Sequence, residues 1–139
     1  MKKKTRYTGL GFPVDLIGVK TREFRGEAIP DINHRELEDQ VFKILLWLPS
    51  HFSGAHLGFV RGYMGLSQKE FASMLGLKTH TTISGWEGKD DKVTGMQGTT
   101  EVIIRLIMAE FIKEDSFAPH FKEFLEVNNP PKNLELKVA

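Results

Sequence analysis

The sequence contains no cysteine. That excludes disulfides and any zinc or iron–sulfur site built on thiolates. No stretch of about eighteen residues is continuously apolar, so no membrane-spanning helix is expected. The basic start, with Lys2, Lys3, Lys4 and Arg6, is not followed by the apolar run of a secretory signal. A cytoplasmic location is the simplest expectation. Catalytic patterns are missing too: there is no Gly-rich phosphate loop, no HExxH and no nucleophile elbow. The acidic pairs Glu38-Asp39 and Asp90-Asp91 are adjacent, so their carboxylates point different ways and read as solvated acids. His51 and His56 have no acidic or thiol partner at ligand spacing, and His34 and His120 read as surface or core-edge residues. No enzyme activity, metal or cofactor is therefore expected.

Nor is there a strong charge of one sign. The net charge is +1, but it is unevenly spread. The first 33 residues are basic and the last 40 acidic. Residues 53–99 are nearly balanced, with Arg61, Lys69, Lys78, Lys89 and Lys92 against Glu70, Glu87, Asp90 and Asp91. That is a weak electrostatic footprint for a nucleic-acid reader.

What is present is a core-sized apolar fraction, 40% of 139 residues. The pattern is mainly helical. Residues 1–6 read as a solvated tail, or else as an arm that touches phosphate. Residues 12–32 read as extended, with Arg25-Gly26 as the turn of a small hairpin and Ala28-Ile29 pairing back. Asp31 or Asn33 can cap a helix carrying Leu37, Val41, Ile44, Leu45 and Trp47, which Pro49 ends. Ser53 opens a second helix with Leu57, Val60 and Met64 inward. Residues 88–99 are a polar, glycine-rich loop. Thr100 can cap a helix that is apolar nearly all round, from Val102 to Ile112. Such a helix is buried on two sides, by a second subunit or as a central core helix. Residues 117–127 read as one more short amphipathic helix, and 128–139 as a tail.

The stretch Ser67–Glu87, SQKEFASMLGLKTHTTISGWE, organises the rest. Ser67 and Glu70 make a capping box. Phe71, Met74 and Leu75 share a helical face, and Ala72 leaves room for a crossing helix. Gly76 stands where a helix ends in a left-handed residue. Thr79 can cap a second helix in which Ile83, Trp86 and Glu87 share a face. Two short helices joined by a glycine turn describe a helix-turn-helix, or an ordinary helical hairpin.

These residues resemble the Xre (lambda-repressor-like) DNA-binding domain. The preceding FSGAHLGFVRGYMGLSQ resembles the entry to that domain in antitoxins of the MqsA (YgiT) type, and the likeness covers roughly residues 7–110. The resemblance implies a lambda-repressor-like helical bundle over residues 34–127, preceded by a hairpin at 1–33. In the family a zinc ribbon stands there. The segment FRGE is similar to its second knuckle with the cysteines missing. The resemblance also implies an internal ion pair between Arg61 and Glu87. The family usually leaves five residues between the turn glycine and the buried isoleucine. Here Gly76 and Ile83 are separated by six, so Lys78 reads as an insertion.

The function implied is sequence-specific binding of double-stranded DNA at an inverted-repeat operator, by a homodimer. The regulator would be an antitoxin repressing its own operon, with a cognate toxin protein as a possible partner. With Ile83 inward, helical phase places Thr81, Ser84 and Gly85 outward, and the helix start adds Thr79, His80 and Thr82 as base readers. Gln68, Lys69, Lys78, Lys89 and Lys92 would face the DNA backbone. The alternative is a protein-interaction module that keeps the helices without reading DNA. Gly85, where the family often puts a long polar side chain, and the weak basic balance favour that alternative.

Overall fold

Residues 4–7 and 14–17 alternate side chains between two faces, and they pair. The computed structural model describes residues 3–131 and 133–138. The described residues are mainly α, with six α-helices, one 3-10 turn and five short strands. Two units divide the chain. One is Met1–Ile44 with Asn133–Ala139, and the other is Leu45–Lys132.

In the first unit, β1 (Lys4–Tyr7) is antiparallel to β2 (Val14–Ile17), with Lys4 opposite Ile17 and Tyr7 opposite Val14. A separate hairpin pairs β3 (Thr21–Phe24) with β4 (Glu27–Pro30). Arg25 at φ 52 and Gly26 at φ 81 form its two-residue turn, the left-handed kind whose twist suits a hairpin. Helix α1 (His34–Leu46) begins at Asn33, whose Oδ1 accepts the Glu36 N–H at 3.1 Å. The last strand, β5 (Leu134–Lys137), runs parallel to β2 with Val14 opposite Leu134. The sheet order is β1-β2-β5. Val14, Leu16, Leu134 and Leu136 are buried and share one face, while Lys4, Arg6, Glu135 and Lys137 alternate onto the other.

Three expectations fail here. Lys4–Tyr7 is a strand and not tail, since Thr5 and Tyr7 alternate with charged neighbours against β2. Val14–Ile17 belongs to the three-stranded sheet and not to the hairpin. Residues 134–137 are not tail either, because Leu134 and Leu136 complete the buried face of the sheet. Met1, Lys2, Lys132 and Ala139, included in the expected tails, lie outside the described residues.

In the second unit, α2 (Gly54–Tyr63) and α3 (Gln68–Met74) both pack on α4 (Thr81–Glu87). Ser53 and His56 form a capping box at the start of α2, and Ser67 and Glu70 form one at α3. Helix α5 (Gly98–Phe111) starts after Gln97, three residues earlier than a Thr100 cap would give. Residues 117–127 are not one helix. They split into a 3-10 turn (Ala118–His120), with Pro119 in its first turn, and α6 (Lys122–Leu125).

The charge at the centre of this unit is Arg105, fully buried on α5. Its Nη1 donates to the carbonyls of Leu45 (2.9 Å) and Leu46 (2.8 Å), and its Nη2 to Ser50 (2.8 Å). Helix ends leave carbonyls without partners, and a guanidinium fork can serve several at once. The cation lies 4.4 Å from the Phe52 ring and 4.7 Å from the Phe124 ring, with the Glu101 carboxylate 3.5 Å away. Burial pulls its pKa down to about 10, against the opposing pull of Glu101. Trp47 joins an aromatic cluster with Phe117 at 5.0 Å.

Candidate nucleic-acid interface

The α3–α4 connection is built by backbone chemistry. Leu77 N–H donates to Ala72 O (2.9 Å) and Gly76 N–H to Ser73 O (3.1 Å), with Gly76 at φ 72. This pair of bonds is the Schellman closure, and it needs a left-handed residue where glycine stands. Lys78 lies exposed in the turn that follows. Thr79 Oγ1 then accepts the Thr81 N–H at 3.0 Å, satisfying one of α4's free donors, while His80 is the residue immediately before the helix.

Within α4, Ile83 is fully buried. Thr79, His80, Thr81, Ser84 and Gly85 are exposed, and Thr82 is partly so. The hydroxyls of Thr79 and Thr81 lie 3.0 Å apart. A Cβ added at Gly85 would meet nothing within 4 Å. Glycine is thus not demanded there by packing, although it costs a helix about 1 kcal/mol relative to alanine. Lys69, Lys78, Lys89 and Lys92 are exposed, and among the described residues none of them sits in an ion pair.

The inner end of α4 is fixed by Glu87. Arg61 donates to it twice, from Nε at 2.7 Å and from Nη2 at 3.0 Å, and from Nη1 to Leu66 O at 2.9 Å. The hydrogen bonds to Glu87 hold the guanidinium charged. Side-chain exposure of 22% and 15% makes this a partly buried pair. Gln68 Nε2 also donates to Glu87, at 3.3 Å. The amide nitrogen of half-buried Gln68 thus has a protein partner.

One glycine, Gly54, lets α4 come this close, while at Gly58 a Cβ would make only an ordinary contact. A Cβ at Gly54 would stand 2.6 Å from the carbonyl oxygens of Trp86 and Glu87, and one at Gly58 3.5 Å from Glu87 Oε1. The N–H groups of Gly54 and Ala55 donate to the carbonyls of Lys92 (3.1 Å) and Asp90 (2.8 Å). The loop that carries Lys89 and Lys92 is thereby held by the first turn of α2.

Two more buried groups, Glu101 and His56, have internal partners. Glu101 is 2% exposed; its Oε1 contacts His51 Nδ1 at 3.2 Å and its Oε2 accepts the Phe52 N–H at 3.1 Å. His56 is buried, and its Nδ1 accepts the Ser53 N–H at 3.1 Å, which requires a neutral ring. Burial is the main reason its pKa falls to about 4. Among the described residues no group of three or more His, Asp or Glu side chains is arranged to hold a metal ion.

Sequence reasoning weighed His56 only as a metal ligand, and it passed over Gly54, Glu101 and Arg105. The last two left a signal. They stand four apart as the charged residues in the otherwise apolar run from Val102 to Met108 and its first flank. Within a single chain, α5 is covered on one side only, so it is not the central core helix that was one of the two expectations. Ile103 and Phe111 are 48% and 51% exposed, since the core of this unit covers only the side that carries Val102, Arg105 and Met108. Comparison with protein-family models, curated proteins and solved structures finds no match.

Proposed function

We propose that this chain is a sequence-specific DNA-binding transcriptional regulator. Its α3–α4 pair would act as a helix-turn-helix of the Xre (lambda-repressor-like) type, with α4 as the recognition helix. The observation that carries the reading is the phase of α4. Ile83 and the Glu87 network lock one side, and the opposite side offers Thr79, His80, Thr81, Ser84 and Gly85 to solvent. Short hydroxyls and one imidazole can make single hydrogen bonds and methyl contacts at base edges in the major groove. Thr82 contributes from the start of the helix. Gly85 fits a site where an external backbone approaches closely. Lys89 and Lys92, with Lys69 and Lys78, supply phosphate contacts that position the protein without reading sequence. Arg61 and Gln68 act behind the surface, holding Glu87.

A homodimer would present two such helices about 34 Å apart to the halves of an inverted repeat. The antitoxin role, repression of its own operon and a cognate toxin partner, rests on the resemblance to MqsA-type antitoxins. The second reading is a protein-interaction module without DNA reading. It is favoured by the near balance of charge over residues 53–99 and by the absence of a long side chain at Gly85. A mobility-shift titration with the DNA upstream of its own gene separates the two. A salt-sensitive shift supports the regulator. A folded dimer that shifts nothing at low salt supports the interaction module.

A further inference from the structure

We propose that the free edge of β5 joins a second copy of this chain, making one continuous sheet across a two-fold axis. The proposal rests on the reading of the protein as a homodimer and names the surface that holds it together.

β5 is an edge strand, paired to β2 on one side only among the described residues. Val138 N–H donates to Ile17 O at 2.9 Å. Backbone groups alternate in direction along a strand, so those of Glu135 and Lys137 point away from β2, toward the open edge. An unpaired row of this kind is a template for another strand. Proteins usually blunt such an edge with charge, and a run of one sign would repel a second copy. This edge alternates sign instead: Glu135 and Lys137 are both exposed and flank buried Leu136.

Consider two copies of β5 meeting antiparallel about a two-fold axis through Leu136. Glu135 then faces Lys137 of the second copy, and Lys137 faces Glu135 of the second copy. Both pairs are of the type that exchanges two backbone hydrogen bonds, so the charges and the backbone select the same register. Centring on Glu135 or on Lys137 would set like charges opposite each other. The existing contact of Glu135 with Lys4 at 3.2 Å joins two side chains that are more than half exposed, so it competes weakly. The exposed face of α5 around Ile103 and Phe111 is apolar, but it carries no pattern that specifies its own copy.

The test is the mass of the full chain at micromolar concentration without DNA, by light scattering. The wild type is expected to be a dimer. Lys137→Glu should weaken it by about tenfold or more, through two lost attractions and two new repulsions. The swap Glu135→Lys with Lys137→Glu should restore it, and Phe111→Asp should leave it intact. Hydrogen exchange on the wild type should show the amides of Glu135 and Lys137 protected. The interface is overturned by a monomeric wild type, by a Lys137→Glu dimer of full strength, by a folded swap that stays monomeric, by a dimer lost in Phe111→Asp, or by unprotected amides. A chain that dimerises in this way but shifts no DNA overturns the DNA reading alone.

Discussion

At the scale of single residues, the protein depends on a few charges placed where water is scarce. Arg61 and Glu87 form a pair at 22% and 15% exposure. Such a pair lies between exposed pairs, worth below about 1 kcal/mol, and fully buried ones, whose breakage costs about 3–5 kcal/mol. Arg61→Ala is therefore expected to cost about 2 kcal/mol in urea unfolding. A loss below about 0.5 kcal/mol would mean that Glu87 is hydrated well enough without its partner. The resemblance had put these two side chains together, and they meet. Nothing comparable pointed to His56, because a histidine as the third residue of a capping box breaks the usual Ser-x-x-Glu pattern. Its pKa is about 4 in the folded chain against an ordinary 6.5. Between those values the unfolded chain binds more protons, so stability rises with pH through the window and falls as pH drops from 6.5 toward 4. The loss should reach about 2 kcal/mol by about pH 5. His56→Gln should remove this part of the slope. An identical slope in that variant would show that another group carries it.

At the scale of elements, the sequence was most legible where the cause is local. Ser53, Ser67 and Glu70 marked helix starts, and the Arg25-Gly26 turn was marked by its own residues. Gly76 marked a helix end, and the Schellman bonds stand there. Leu77 is fixed to Ala72, Lys78 falls in the exposed turn beyond it, and Ile83 is the inward side chain of α4. Packing between elements was less legible. A glycine in a helix announces nothing about whether another backbone lies 2.6 Å from a missing Cβ, as at Gly54, or open space, as at Gly85. That contrast yields a prediction for α4. Gly85→Ala should raise folding stability by roughly 1 kcal/mol through helix propensity. It should also weaken binding to the specific DNA site if the backbone of α4 comes close to it. Unchanged affinity in a stabilised variant would remove Gly85 from the interface.

At the scale of the whole molecule, the unreadable parts were the non-local ones. β5 pairs in parallel with β2 although the two come from opposite ends of the chain. Its four residues carry too short an alternation to separate a strand from a tail. Arg105 likewise serves carbonyls more than fifty residues away. Such partners have no signature in a local window. The regulator reading draws together local and non-local features: a helix with one locked side, a lysine-bearing loop held by α2, and two copies to meet two half-sites. Two kinds of variant should part within it. Lys89→Ala should weaken all DNA about equally and lower the salt slope by about one. His80→Ala and Thr81→Ala should each cost roughly 1–3 kcal/mol on the specific site and relax its sequence preference.

The most direct measurement is selection from a pool of random-sequence duplexes by the wild-type chain, repeated with His80→Ala and Thr81→Ala. The account predicts that the wild type enriches an inverted repeat whose half-site centres lie one helical turn apart, or a multiple of it. It predicts that each variant loses preference at particular positions within the half-site. A folded wild type that enriches no sequence, or variants that enrich the same repeat with the same preference at every position, would contradict the assignment of α4 as the reading helix.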